Sequence, residues 1–167
     1  MVMARQLAFT IRTAVAADTS GILECLRIAF EPYRALYTPA GFQDTVLTPE
    51  TIPARMAAMT VFVANDRNRH IIGTVAGGVA AGKHEGHLRG MAVLPEWHGR
   101  GVAEQLLSAV EGHFESLGCS RITLDTTQPL QRATHFYLKH GYRSSGNITD
   151  FFGMSLYEYA KELRKDT

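Results

Sequence analysis

One segment of the sequence, residues 88–103, constrains the fold more than any other. It reads LRGMAVLPEWHGRGVA, so an apolar strand runs into a tight turn that contains two glycines. A helix follows this turn, because Val102, Leu106, Val110 and Leu117 recur at helical spacing. A helix N-terminus offers unpaired backbone N–H groups, and glycines let an anion approach them closely. With Arg100 as a charged donor, the segment predicts a site for a pyrophosphate.

Two other phosphate-binding patterns do not fit this segment. A P-loop requires Lys-Ser or Lys-Thr after its glycines, and neither follows here. A dinucleotide-binding GxGxxG pattern would need glycine where Glu104 stands. A glycine turn that merely precedes a core helix remains the alternative, since an isolated GxG pattern is weak support for a site.

The periodicity of the remaining sequence predicts a mixed α/β (α+β) domain over residues 1–167. Its length suits one domain, and the strand–helix–strand runs in both halves predict a mixed sheet with helices on both faces. Asp18 is predicted to cap the first helix. The segment from Tyr33 to Leu47 is predicted to be irregular, and a second helix to open at Thr48. The predicted strands are Phe9–Arg12, Val61–Ala64, Ile71–Ala81, Leu88–Leu94 and Ile122–Thr126, with a turn at Gly82–Gly86 and a final hairpin over Arg143–Tyr159.

Composition narrows the class of partner. The formal net charge is +1, which provides no strong field for nucleic acid. No run of about eighteen apolar residues occurs, so we expect no membrane span. Cys25 and Cys119 are too few for a secreted disulfide scaffold and favour a cytoplasmic location; both are predicted to be small core residues.

Two blocks resemble the GNAT N-acetyltransferase family. Residues 98–103, HGRGVA, are similar to its signature [QR]-x-x-G-x-[GA], which follows a strand ending in an apolar-Ala-Val run. Residues 133–142, ATHFYLKHGY, are similar to A-x-x-F-Y-x-x-x-G-[FY]. His98 departs from the pattern where Gln or Arg is usual, and Leu130 stands where Asn is frequent. The resemblance extends over nearly the whole chain.

This resemblance implies a GNAT-like fold: a mixed, mostly antiparallel central sheet of six to seven strands flanked by about four helices. Two central strands, Leu88–Leu94 and Ile122–Thr126, would splay apart beside the glycine loop. The pantetheine arm of acetyl-CoA would pair with the open strand edge, and a backbone N–H near Met91 would polarise the thioester carbonyl. The residues implied to bind acetyl-CoA are Met91, Ala92, Val93, His98, Gly99, Arg100, Gly101, Val102 and Ala103.

The resemblance also implies the reaction. An acetyl group would pass from acetyl-CoA, the acyl donor, to a primary amine of a small molecule or peptide by direct attack, without an enzyme nucleophile. The alternative is a catalytically degenerate acyl-CoA-binding sensor, or an interaction module, on the same fold. Tyr137 argues against the sensor, and the intact glycine loop argues against the interaction module.

Tyr137 and His87 are the predicted catalytic residues. The family places the Tyr of its Phe-Tyr pair beside the sulfur, and a phenol is a suitable general acid for the leaving thiolate. The family often carries a Glu four residues before the position of Met91, and His87 stands there. Histidine titrates near neutrality, which suits a base that accepts the amine proton directly or through water. Strand alternation predicts that His87, Arg89 and Met91 share one face unless a bulge lies between them, and Glu85 is the alternative base.

The acceptor is not identified by the sequence. Tyr33 and Tyr37 are candidates to line its pocket, but aromatic residues in this region could equally cover the core or form a homodimer contact. His84 and His87 have a spacing seen in metal sites. No third ligand is close in the sequence, so we expect no metal.

Overall fold

The structure, a computed structural model, describes residues 8–80 and 84–163. Seven strands in these ranges form one sheet in the order β1-β2-β3-β4-β5-β7-β6. All neighbouring strands are antiparallel except β4 and β5, which are parallel. This confirms the mixed, mostly antiparallel sheet. The strands are β1 (Phe9–Thr13), β2 (Thr60–Asp66), β3 (Ile71–Val79), β4 (Glu85–Val93), β5 (Arg121–Thr127), β6 (Arg143–Phe151) and β7 (Met154–Glu162).

Five α-helices accompany the sheet in the described residues. They are α1 (Thr19–Phe30), α2 (Pro39–Thr45), α3 (Ile52–Ala58), α4 (Val102–Ser116) and α5 (Gln131–Lys139). Short 3₁₀ turns span Ala16–Asp18, Glu31–Leu36 and Pro95–Trp97. Across residues 8–80 and 84–163, no helix has the length and apolar character needed to cross a membrane.

The segment from Tyr33 to Leu47 is not irregular, as the sequence predicted, because it contains the 3₁₀ turn and α2. Pro39 is tolerated in the first turn of α2, and Thr38 caps this helix by accepting a hydrogen bond from the Gly41 N–H at 3.2 Å. The following helix begins later than predicted, at Ile52 rather than Thr48, since Thr48 belongs to a turn stabilised by the side chain of Thr51.

Asp18 precedes α1 but does not cap it as predicted. Its carboxylate instead accepts two hydrogen bonds from the Arg12 guanidinium, at 2.7 and 2.8 Å, and one from the Val15 N–H at 2.8 Å. These bonds hold the pKa of Asp18 below its ordinary value, the Arg12 hydrogen bonds being the main cause. The pair joins β1 to the start of α1.

Each face of the sheet has its own core. On one face α4 contributes Val102, Leu106, Val110 and Phe114, and on the other α1 contributes Ile22, Cys25, Leu26 and Phe30. Leu117, predicted to continue the apolar stripe of α4, follows the end of this helix and is exposed. The Phe114 ring lies against Gly86, where an added Cβ would be 2.5 Å from it. Gly86 is therefore a strand residue of β4 that makes room for this ring. It is not part of a turn as predicted. Gly82, where the predicted turn begins, and Ala81, where the predicted strand before it ends, lie outside the described residues.

The parallel central strands pair only at their first halves. β4 and β5 are in register from Glu85–Arg121 to Leu88–Leu124, and no pairing continues beyond that point. The splayed central strands expected from the sequence are thus present. They leave backbone groups of the second half of β4 without a strand partner on the β5 side.

A bulge lies at the point where the strands part. Arg89 pairs with Ala76 and Ala92 with Thr74, so Gly90 and Met91 together oppose the single residue Val75. Gly90 has φ +64°, a left-handed conformation that favours glycine.

The bulge reverses the alternation of side chains along β4. Met91 packs with the core on the α4 face, whereas the side chain of Arg89 bonds Asp44 of α2 on the opposite side. The prediction that His87, Arg89 and Met91 share one face is therefore wrong for Met91, because the extra residue of the bulge shifts the period-two pattern.

Candidate active site

Two cavities adjoin where β4 and β5 separate. The larger cavity, of about 370 Å³, has Tyr37, His87 and Arg89 in its wall. The smaller cavity, of about 240 Å³, has His98 and Gly101 in its wall. The residues that line both cavities are Phe30, Met91, Leu130, Ala133 and Tyr137. The two cavities therefore meet at the bulged end of β4 and the inner side of α5.

The smaller cavity contains the glycine loop predicted from the sequence. Gly99 and Gly101 have φ +75° and +85°, which explains why glycine stands at both positions. A Cβ at either position would meet no heavy atom of another residue within 4 Å, so the loop presents an open surface. Gln105 makes the first helical hydrogen bond of α4, to the Gly101 carbonyl, and the N–H groups before it lie at the positive end of the helix dipole.

His98 attaches this loop to β4. Its Nε2 lies 3.1 Å from the Val93 carbonyl oxygen, and since a carbonyl only accepts, Nε2 is the donor. Val93 and Met91 are on the stretch of β4 that β5 leaves unpaired. The side chain of His98 thus fixes the distance between the loop and the open strand edge.

Arg100, predicted as a charged donor for an anion, does not line either cavity. Its guanidinium lies 4.9 Å from the centre of the Trp97 ring, a cation–π contact. Arg132, at the start of α5, lines the smaller cavity and was not singled out from the sequence. The sequence feature that could have indicated this role is the position of Arg132 directly before residues 133–137, ATHFY.

Tyr137 occupies the boundary between the two cavities. It is 4% exposed, and its ring makes edge-on contacts with Phe136 and Tyr142, with centroids 5.3 and 5.6 Å apart. Burial raises the pKa of its phenol above the ordinary value, so the hydroxyl is protonated at neutral pH. This protonation state is the one that a general acid requires.

His87 lies in the wall of the larger cavity beside β5. Its Nδ1 is 2.9 Å from Thr123 Oγ1, and its Nε2 is 3.4 Å from Asp125 Oδ2. Partial burial lowers the pKa of His87, while the Asp125 charge acts in the opposite direction. Burial raises the pKa of Asp125. Glu85, the alternative base, does not line this cavity and instead pairs with Arg121 at 3.4 Å.

The two tyrosines predicted near the acceptor are in different cavities. Tyr37 lines the larger one, where it is buried and its hydroxyl lies 2.7 Å from Thr127 Oγ1. Tyr33 lines the smaller one, beside Phe30 with ring centroids 6.5 Å apart. Tyr37 is therefore the better placed of the two to contact a molecule in the larger cavity.

Four charged residues in the wall of the larger cavity were not assigned to the site from the sequence. They are Asp44 of α2, Arg55 of α3, Arg89 of β4 and Asp125 of β5. Arg89 Nη2 donates to Asp44 Oδ2 at 2.9 Å. Burial lowers the pKa of Arg55 to about 10, and the neighbouring Arg89 charge acts in the same direction. Residues so far apart in the chain carry no shared motif, so periodicity could not have connected them.

Other candidates are outside this site. Cys25 and Cys119 are buried and unpaired, and burial raises the pKa of Cys25 to about 12. The carbonyl of His84 accepts a hydrogen bond from the Ser120 N–H at 2.8 Å. Within residues 8–80 and 84–163, no three His, Cys, Asp or Glu side chains are grouped so that they could hold a metal ion.

A mixed sheet whose parallel central pair opens beside a glycine loop and a helix N-terminus is the arrangement that the resemblance to the GNAT family implied. The sequence matches the profile of the Acetyltransferase (GNAT) family over residues 22–142, well over half of the chain. The protein belongs to this family.

Solved structures with the same fold cover almost the whole chain. A GNAT-family acetyltransferase from Staphylococcus aureus is 17% identical with a TM-score of 0.77, covering 94% of this chain and 100% of that chain. The PaiA N-acetyltransferase from Thermoplasma acidophilum, in complex with coenzyme A, is 17% identical with a TM-score of 0.76, covering 93% and 99%. A putative N-acetyltransferase from Lactobacillus plantarum is 19% identical with a TM-score of 0.71, covering 94% and 99%. At these identities the likeness establishes the fold.

Proposed function

We propose that the protein transfers the acetyl group of acetyl-CoA to a primary amine by direct attack. The observation that carries this proposal is the meeting of two cavities at Met91 and Tyr137, beside the opened strand edge. One cavity has the features that bind the phosphates of a donor. The other is the larger cavity, through which an acceptor amine reaches Met91 and Tyr137 from the opposite side.

The smaller cavity fits coenzyme A by its chemistry. The N–H groups at the start of α4 bind the pyrophosphate, and Arg132 adds a positive charge. The pantetheine amides pair with the unpaired backbone of β4 near Met91 and Val93, as an added strand does. The Val93 carbonyl already accepts from His98, and its second lone pair is available for a ligand.

The larger cavity holds the acceptor. The amine nitrogen attacks the thioester carbonyl carbon, whose oxygen is stabilised by the backbone N–H near Met91. When the tetrahedral intermediate collapses, the carbon–sulfur bond breaks and the thiolate takes the phenol proton of Tyr137. The proton lost by the amine passes, directly or through water, to the His87–Asp125 pair. The products are an N-acetyl amide and coenzyme A.

Two measurements test the proposal. Calorimetry with acetyl-CoA tests donor binding, and release of free thiol across a panel of primary amines tests transfer. We expect micromolar to millimolar donor affinity, the usual range for enzyme substrates, and amine-dependent thiol release. Tight donor binding without thiol release for any amine would favour the acyl-CoA-binding sensor instead, and absence of donor binding would reject both.

A further inference from the structure

The larger cavity has an excess of positive charge at the end formed by α2, α3 and the bulge. Two guanidinium groups, Arg55 and Arg89, line it there with a single carboxylate, Asp44. Arg89 bonds that carboxylate at 2.9 Å. Because a carboxylate carries one negative charge, this end retains about one uncompensated positive charge.

Of these two guanidinium groups, Arg55 has the less neutralised positive charge. It is half-buried, and a Cβ built at Gly90 would lie 2.7 Å from its Nη1, so the guanidinium lies against the backbone of the bulge. In the parts of the chain that the structure describes, it has no ion pair within 4 Å. Its pKa, lowered by burial to about 10, is consistent with a cation short of partners.

The other end of the same cavity has the opposite character. Asp125 lies beside His87 there, at 3.4 Å, and both line the cavity. The Arg89 charge is felt at both ends, since it acts on Arg55 and also on both His87 and Asp125. A molecule in the cavity therefore meets guanidinium groups on one side and a histidine–carboxylate pair on the other.

We infer that the acceptor is a free amino acid or a close analogue, whose carboxylate binds Arg55 and Arg89 while its amine lies toward His87 and Asp125; this rests on the proposed acetyl transfer. Guanidinium groups bind carboxylates in bidentate geometry. Gly90 contacts Arg55 and is adjacent to Met91, where the thioester is expected. The carboxylate binding site is therefore only a short distance from the position of the reacting amine, as in an amino acid. A cavity of about 370 Å³ is within the range for a small ligand.

The reaction joins the amino acid nitrogen to the acetyl carbon and gives an N-acetyl amino acid and coenzyme A. A polyamine lacks the anionic group and would place a second cation beside Arg55. An amino acid whose carboxyl is blocked as an amide would leave Arg55 without a counterion. Both are predicted to be poor acceptors, since leaving a buried charge without its partner is costly.

Matched acceptor trios test the inference with the full-length protein. Each common amino acid is compared with its carboxamide and with its decarboxylated amine, and thiol release gives kcat/KM at saturating acetyl-CoA. We expect the best free amino acid to exceed its amide and its decarboxylated amine by about 10- to 100-fold, the scale of a charge-assisted hydrogen-bond pair. Equal or better rates with the amide, the amine or a polyamine would overturn the inference while leaving acetyl transfer intact.

Three variants test whether Arg55 is responsible for the preference for a free carboxylate. Arg55→Gln should raise KM for the preferred amino acid by about 10-fold or more with little change in kcat, because uniform binding is lost. Arg55→Lys should recover part of the preference, and Arg27→Gln, on the exposed face of α1, should behave as wild type. An unchanged preference in folded Arg55→Gln would contradict the inference. If calorimetry detects no binding of acetyl-CoA to the wild-type protein, the proposed function is rejected, and the inference with it.

Discussion

His87 Nε2 lies 3.4 Å from Asp125 Oδ2, at the strand pair where β4 and β5 are about to separate. The two groups affect each other's protonation: burial lowers the pKa of His87 and raises that of Asp125, and their mutual attraction opposes both shifts. The pair is therefore able to accept a proton at neutral pH, since His87 is then mainly in its neutral form.

The first prediction concerns the pH dependence of transfer. Because the pKa of His87 is lowered from about 6.5, kcat/KM should fall only at pH values below that, as the base becomes protonated. His87→Ala should lower the rate and remove this acid limb. Asp125→Asn should move the limb to lower pH, because the carboxylate charge no longer favours the imidazolium.

Glu85→Gln is the matched control, since Glu85 pairs with Arg121 and does not line the larger cavity. Its profile should keep the acid limb, displaced only slightly to lower pH, because the Glu85 charge is the weakest of the charges that act on the pKa of His87. If Glu85→Gln loses the limb and His87→Ala keeps it, the base is Glu85.

The second prediction concerns the general acid. Tyr137→Phe should lower kcat by roughly ten- to a thousandfold, within the range for acid catalysis, because the thiolate leaves without a proton donor. Tyr142→Phe, which changes a buried tyrosine that lines neither cavity, should retain wild-type turnover. Full turnover by a folded Tyr137→Phe protein would rule out this role.

The third prediction concerns donor binding. Gly101→Val should weaken acetyl-CoA affinity by about 100-fold or more, because a branched side chain is strained at φ +85° and obstructs approach to the α4 N-terminus. Gly118→Val introduces similar strain at φ +79° beyond the other end of α4. It should lower thermal stability and leave the affinity intact. Calorimetry on both folded variants distinguishes obstruction from strain.

The fourth prediction concerns folding. The pKa of Asp18 is held below its ordinary value by Arg12, so its ionised form stabilises the folded state above the unfolded pKa of about 3.9. This contribution is lost as the pH falls through the folded-state pKa. Asp18→Asn should lower the free energy of unfolding by about 1–3 kcal/mol at pH 7, with a smaller difference at pH 3.

Denaturant unfolding at the two pH values measures this difference. Glu24→Gln removes an exposed pair on one turn of α1 and should have little effect. A pH-independent loss in Asp18→Asn would show that packing, rather than charge, is responsible.

The glycine loop and the strand before it were predictable because their signals are local. Gly99 and Gly101 are needed for left-handed backbone conformations, and a helix stripe follows directly. The family match confirms the resemblance drawn from the same residues. The roles assigned to Tyr137 and His87 stay predictions.

The charged wall of the larger cavity could not be predicted from the sequence. Arg89 meets Asp44 only because α2 forms in a segment that contains proline and glycine, and because the sheet brings residues 45 positions apart together. A bulge in β4 was an open alternative, but its position at Gly90 could not be predicted, since a glycine within a strand does not reveal its φ angle. These features depend on tertiary packing.

The gap between β4 and β5 has a consequence for the end of the reaction cycle. In the proposed function, acetyl-CoA fills this gap as an added strand and is bound through its phosphates and amides, which are unchanged when the acetyl group has left. The product coenzyme A would therefore keep nearly all the contacts proposed for the donor, apart from those at Met91 and Tyr137. On this geometry the product should be a competitive inhibitor toward acetyl-CoA, and its departure, rather than bond making, should limit turnover for a good acceptor.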